Sequence, residues 1–415
     1  MTARRLLASY VPRSRSSGAL IVSAFVDSTG TGLYIAASTL FLTTVAGLSP
    51  LQVGIGLSVA GVAGFVATIP LGHLADRVGP RRLLVILQVV RGLGFVGFAF
   101  VSGPVEYVLL SVVLGASEGP ISALTQSVVS SVVGEEDRVH TLALIRTARN
   151  AAFSVGTLVA APLLFIGTDW AFRSTMLIDA ASFFVGAVLL ARVALRTVVR
   201  PKIKQPLSEL VAGFRNGRYL SLTAINGFLM IHISVLFVAL PLWAVGEGGV
   251  DPGFVPLLVI INTVVALFLQ APLSSVAERP GGGRRALGLG IAALAASALV
   301  FGFVGVGPLP VTLGVLIGGV LLLTLAEIWQ SAGEWELSYR YAPDGQRSLY
   351  LSVFSTSKTI QNFAGPLIVT AAVLPLGMVG WLGLAACVLL AWPVLSVIVA
   401  RLERARGEGD DVAQR

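Results

Sequence analysis

Long apolar runs recur along this chain, separated by short stretches of glycine, proline or charge. A helix rises about 1.5 Å per residue, so crossing a hydrocarbon core of about 30 Å takes roughly 20 apolar residues. Twelve runs of sufficient length can be drawn, over residues 18–46, 50–73, 83–102, 104–133, 141–166, 171–195, 218–245, 253–276, 286–306, 308–340, 348–374 and 376–401. With 55% of the 415 residues hydrophobic and 12% charged, a water-facing surface could not be assembled around them. The expected fold class is an all-α membrane protein with twelve transmembrane helices.

The basic residues give the chain a direction. Arg4, Arg5, Arg13 and Arg15, the connections holding Arg77, Arg81 and Arg82 and Arg279, Arg284 and Arg285, the middle connection and the tail with Arg401, Arg404 and Arg406 all fall on one side; the other holds Arg173. The positive-inside rule then makes the cytoplasmic membrane the expected location, with both termini cytoplasmic. The net charge of +8 is read as a mark of that orientation, with no nucleic acid as partner. The first 17 residues lack the apolar core of a signal peptide, so the first helix is expected to stay as an uncleaved anchor. One cysteine, Cys387, and three scattered histidines provide no disulfide framework or clustered metal ligands, and no cofactor is expected.

An internal repeat divides the chain. Pro50 and Pro252, Pro70 and Pro272, Asp76 and Glu278, and Arg77 and Arg279 share an offset of 202 residues. A second block, Arg138 and Arg347, Arg149 and Lys358, Gly156 and Gly365, shares an offset of 209. Two pseudo-symmetric six-helix halves follow, residues 1–195 and 218–401, with a cytoplasmic linker at 196–217 and a tail at 402–415. Within the linker, Leu207 to Phe214 forms an amphipathic piece expected to lie along the membrane surface.

The loop between the second and third runs carries a specific pattern. Gly72-His73-Leu74-Ala75-Asp76-Arg77-Val78-Gly79-Pro80-Arg81-Arg82 resembles the signature of the major facilitator superfamily, Gly-x-Leu-Ala-Asp-Arg-x-Gly followed by two basic residues, and departs from it at Pro80. The resemblance implies the major facilitator fold and a loop that latches the two halves in the outward-facing state. In that role Gly72 permits close helix approach, Gly79 permits the turn, and Asp76 meets a helix N-terminus or an arginine. Arg77 and Arg81 would pair with carboxylates or lipid phosphates. A plainer structural role for Asp76 is to cap the next helix.

Ionisable residues inside a membrane cost about 2.5–3.5 kcal/mol each on insertion scales, which makes them functional candidates. Asp27, Glu118 and Glu327 lie within the first, fourth and tenth runs, and Thr324, Glu327, Gln330, Ser331 and Glu334 form a polar stripe at helical spacing. Lys358, with Ser355, Gln361 and Asn362, marks a face of the eleventh. In the superfamily, helices one, four, seven and ten line the cavity and five and eleven flank it. The resemblance therefore turns Asp27, Glu118 and Glu327 inward, beside Arg149 and Lys358. A carboxylate in a low-dielectric cavity resists ionising and a neighbouring cation opposes that, so such a group can take up and release protons. Asp27 is the first candidate for the proton site and Glu118 the second; the structural alternative is fixed ion pairs, for instance Glu327 with Lys358.

Arg91 and Asp179 lie on the third and sixth helices, peripheral in the superfamily, where a structural role, snorkelling or a supporting pair, weighs at least as much as a functional one. His232, beside Asn226, reads as a satisfied polar residue, and Glu334, Glu336 and Arg340 as pairs near the cytoplasmic exit. Phe25, Tyr34, Phe41, Phe228, Phe237 and Trp329 offer an aromatic surface for a lipophilic ligand.

Within the superfamily the chain is similar to the twelve-helix drug:proton antiporters. It departs from them in having Glu118-Gly119-Pro120, and no arginine, within the fourth span, and Ala161-Pro162 where Gly-Pro is usual in the fifth; a Gly365-Pro366 pair stands in the eleventh. The expected function is secondary active export of a small lipophilic compound, a drug or secondary metabolite, in exchange for protons by alternating access. A proton-coupled importer or facilitator of a small metabolite is the alternative, and sodium coupling stays open beside proton coupling. The expected partners are a small-molecule substrate, protons and membrane lipids, with the chain acting as a monomer. Without a nucleotide-binding loop or an identifiable catalytic cluster, an enzyme is not expected.

Overall fold

The computed structural model describes residues 14–133, 135–193, 214–279, 281–343 and 346–413, and no strand occurs among them. Helix α1 spans Arg15–Thr44, α2 Pro50–Val78 and α3 Pro80–Phe98. The span Pro104–Val132 is α4, followed by α5, Glu135–Ile166, and α6, Asp169–Ala191. In the second half, α7 is the span Gly217–Gly246, α8 Phe254–Glu278, α9 Gly282–Phe301, α10 Leu309–Arg340, α11 Leu349–Leu376 and α12 Met378–Ala413. The amphipathic piece expected at 207–214 lies outside the described residues except for Phe214.

The helices begin where local chemistry supplies a cap. Ser14 with Ser17 and Ser49 with Gln52 form capping boxes at α1 and α2, and Thr168 accepts from the Ala171 amide at α6. Pro50, Pro80 and Pro104 occupy first-turn positions, where a missing N–H costs nothing. Gly79, at φ +92°, takes the turn between α2 and α3 that a side chain would oppose.

Eleven of the twelve helical spans are long and apolar enough to cross a membrane. The twelfth, α3, is as helical as the rest but carries Arg81, Arg82 and Arg91 within its 19 residues. Outward-facing apolar side chains such as Val105, Leu267 and Phe268, each more than two-thirds exposed, suit contact with lipid.

Three helices expected to be continuous are interrupted. α4 divides at Gly119-Pro120 into Pro104–Glu118 and Ile121–Val132, because Pro120 has no N–H to continue the ladder. α7 contains a π turn at Val235–Ala239, and α11 one at Val369–Val373, where Thr370 Oγ1 donates to the Pro366 carbonyl. At the other end, α12 continues to Ala413, through most of the stretch expected as a tail.

The chain forms two compact units, Met1–Pro201 with Pro252–Leu257, and Lys202–Asp251 with Leu258–Arg415. In the first, α1 packs on α5 and α6, α3 on α6, and α2 on α4. Gly156 sets the α1–α5 distance: a Cβ there would come within 1.9 Å of the Thr29 carbonyl oxygen. In the second, α9 packs on α10 and α12, and α7 on α11. The repeat-related Gly365 makes the matching approach, with Ser234 Oγ 2.4 Å from its absent Cβ.

Candidate functional site

The packing of α3 against α6 and of α1 beside them carries Arg91 into the interior of the first unit, where it is 7% exposed. Its guanidinium Nη2 donates to Glu118 Oε2 at 2.7 Å, a short charge-assisted bond, while Nη1 stands 3.9 Å from Asp27 Oδ1. Gln88, one turn earlier on α3, connects the group: its Nε2 donates to Asp27 Oδ1 at 3.4 Å and its Oε1 accepts from Arg91 at 3.5 Å. The Phe183 ring of α6 lies 4.0 Å below the guanidinium carbon, closing its remaining face with a cation–π contact.

Two carboxylates thus share one guanidinium, and they differ in commitment. Glu118 is the tight partner, yet its side chain is 61% exposed and it ends the first segment of α4, beside the Gly119-Pro120 break. Asp27 is buried and held only loosely. Asp27 therefore makes no short ion pair, whereas Glu118 makes one. Arg149 on α5 is within electrostatic reach of Asp27, and its Nε is buried without a hydrogen-bond partner among the described residues.

In the second unit, Glu327 and Glu334 are held by amides, with no cation partner among the described residues. Asn262 Nδ2 on α8 donates to Glu327 Oε2 and to Thr324 Oγ1, both at 3.0 Å. On the neighbouring turns of α10, Glu334 Oε2 accepts from Asn226 Nδ2 at 2.8 Å and Gln330 Nε2 at 3.0 Å, and Gln330 also donates to Asn226 Oδ1 at 2.8 Å. Among the described residues the second oxygen of each acid has no partner, and the ion pair weighed between Glu327 and Lys358 does not form. Glu327 is taken by an amide instead, and Lys358 is exposed.

Of the cavity residues expected from sequence, the structure gathers Asp27 and Glu118 with Arg149 nearby, and sets Glu327 in a separate network. The residue that joins the first two is Arg91, for which the sequence leaves a functional and a supporting role open. Its placement on a peripheral helix hid that its length reaches from α3 to both α1 and α4. Gln88 and Asn262 were missed altogether; the available signal was a lone amide inside an apolar run. His232 is satisfied as expected, with Nδ1 3.2 Å from the Leu229 carbonyl oxygen. Tyr34 and Phe41 are core residues, packed edge-on or tilted against Phe95 and Phe98, and do not form a free aromatic surface.

The signature loop also differs in detail. Arg81 donates to the Ala191 and Val193 carbonyls at the end of α6, a helix C-terminal contact in place of the expected carboxylate or phosphate. Asp76 and Arg77 are exposed, and α3 has no side-chain cap, so Asp76 does not cap it. A Cβ at Gly72 would meet nothing within 4 Å, so no close helix approach depends on it here.

Apolar membrane-spanning helices in two units, each with a polar cluster inside, define an integral membrane transporter fold. Residues 20–366 match the family model described as Major Facilitator Superfamily, and the chain belongs to that superfamily. It is 26% identical over 172 residues to the multidrug resistance protein MdtG of Erwinia billingiae, covering 41% of each chain, and 27% identical over 190 residues to MdtG of Enterobacter lignolyticus, covering 44% and 45%. These matches span less than half the length of the curated relatives. Among solved structures it is similar to the nucleoside transporter NupG, with TM-score 0.78 and 14% identity over 93% of this chain and 99% of that one. A POT family transporter in complex with 5-aminolevulinic acid gives TM-score 0.70 at 14% identity, over 94% and 96%. Both likenesses concern the fold.

Proposed function

We propose that this transporter exports a small lipophilic compound across the cytoplasmic membrane in exchange for protons, with Asp27 as the proton carrier and Arg91 as its switch. The observation that carries this reading is one buried guanidinium placed 2.7 Å from Glu118 and 3.9 Å from Asp27. When Asp27 is protonated, Arg91 belongs to Glu118. When Asp27 is ionised, it competes for Arg91 and loosens Glu118, an exposed carboxylate able to meet a cationic ligand. Similarity to the multidrug resistance proteins supports a lipophilic substrate. The basic side of the chain supports cytoplasmic termini.

The experiment is proton release from purified protein on adding a panel of lipophilic cations and neutral antibiotics. Release by the wild type that disappears in Asp27→Asn is the expected result. Binding with no proton release from either protein would overturn the coupling.

A second reading, proton-coupled import or facilitated passage of a small polar metabolite, is favoured by the amide-held acids Glu327 and Glu334. Uptake of a polar metabolite driven by an inward proton gradient, without release on adding lipophilic cations, would select it.

A further inference from the structure

Asp179 on α6 takes no part in the site described above, although it is a fully buried acid at its border. Ser182 Oγ donates to its backbone carbonyl at 2.8 Å and to its Oδ1 at 3.4 Å, while Oδ2 is buried without a hydrogen-bond partner among the described residues. Helix α1 closes the other side. A Cβ at Gly30 would collide with the Ser182 hydroxyl and stand 2.5 Å from Asp179 Oδ1, so no water fits between the two helices there. Gly30 follows Asp27 by one turn of α1, and Phe183, whose ring lies under the Arg91 guanidinium, follows Asp179 by one turn of α6.

The titratable groups that act on Asp179 are Arg91 of α3, Asp27 and Tyr34 of α1, and Glu118 of α4. Among the described residues Asp179 forms no ion pair, because Arg91 is turned to Glu118 and Asp27. Arg149 of α5 acts on Asp27. With Glu118 and Asp27 ionised, the charges of Arg91 and Arg149 are already matched. A third carboxylate, dry and with one oxygen unbonded, would be left without a cation. An unpaired charge in such surroundings is strongly unfavourable, and a proton on the carboxyl removes it.

We infer that Asp179 is a second proton site of this transporter, filled while Arg91 serves Glu118 and emptied through Asp27 once Arg91 is released. The inference rests on the proton exchange proposed above and adds a second proton to it. A cationic ligand that takes Glu118 leaves Arg91 and Arg149 to face two carboxylates instead of three, so Asp27 and Asp179 can both be ionised. The exit runs through Asp27 because Asp179 has no exposed surface and Tyr34 is packed edge-on against Phe95 and Phe98, whereas Asp27 retains 8% exposure. Asp27 first gives its proton to water. The Asp179 O–H bond then breaks, its electron pair stays on Asp179, and the proton binds the Asp27 carboxylate, which passes it to water in turn.

The test uses the full-length protein in detergent, with tetraphenylphosphonium as the probe cation. Infrared spectra of the resting protein are expected to show the C=O stretch of a protonated carboxylic acid that Asp179→Asn removes and Asp27→Asn retains. A spectrum unchanged in Asp179→Asn would overturn the assignment. On adding the probe, proton release per bound cation is expected to fall about two-fold from wild type to Asp179→Asn, and to vanish in Asp27→Asn because the inner proton has no other exit. Asp179→Ser gives the same comparisons if the amide variant folds poorly. Equal release from wild type and Asp179→Asn would overturn the second site and leave Asp27 as the carrier. No release from the wild type would overturn the exchange itself and the second site with it, even where the infrared band shows Asp179 protonated.

Discussion

The two halves share a helix order but hold their buried polar groups by opposite means. In the first, Arg91 compensates Asp27 and Glu118 directly, α1 and α5 run without interruption, and Gly156 brings them into backbone contact. In the second, Glu327 and Glu334 are held by Asn262, Asn226 and Gln330, and both α7 and α11 contain a π turn. Under the proposed function, a proton on Asp27 decides which carboxylate Arg91 serves. An amide-held acid keeps one oxygen available and changes little when a distant charge moves. Under the proposed function this contrast becomes a division of labour, with proton coupling in the first half and ligand recognition in the second.

The strongest way to break this contrast is Arg91→Ala. It strands Asp27 as a buried charge, so a loss of about 3–5 kcal/mol in stability and abolished transport are expected, read by thermal unfolding and proteoliposome flux. If Arg91→Ala transports normally, the compensated cluster is merely structural. Asp27→Asn is a finer probe: the amide preserves the shape beside Gln88, so the fold should survive. Proton-driven flux is expected to fall about a hundred-fold, a loss on the scale of removing a general acid–base group, while substrate exchange without a gradient continues and loses its pH dependence.

Asn226→Ala tests the second half. Removing the donor leaves the Glu334 oxygen less satisfied, at a cost of about 1–3 kcal/mol. Under the proposed division this raises KM and leaves the pH profile of transport unmoved; a shifted pH profile would instead place coupling in both halves. The smallest effect separates the repeat-related glycines. Gly156→Ala drives a Cβ against the backbone oxygen of Thr29 and should cost about 1–3 kcal/mol, whereas Gly365→Ala meets the Ser234 hydroxyl, which can rotate away, and should cost less. Equal losses in thermal unfolding would show the two crossings to be equally rigid.

Much of the architecture was legible because membrane burial forces a simple code. Apolar length marked the helices, with α3 recognisable despite its arginines, and the offset loop and glycine pairs marked the repeat. Interruptions were less legible: Pro120 identifies a break in α4 only once its neighbours are known to be helical. The π turns depend on how α7 and α11 pack against each other, which spacing along the chain does not encode. At the site, Asp27, Glu118 and Glu327 stood out as costly charges, but nothing in the linear order told which of them shares a cation.

The sequence by itself determined that this chain must live in a membrane, in two repeated sets of helices, with a few acids inside; hydropathy and charge act locally and can be read residue by residue. Only the tertiary structure decided that Arg91 joins Asp27 to Glu118, and that Glu327 answers to Asn262 and not to Lys358. Those outcomes depend on distances of a few ångströms between helices far apart in the chain. Electrostatic and hydrogen-bond energies change over that scale, and periodicity along a helix does not specify it.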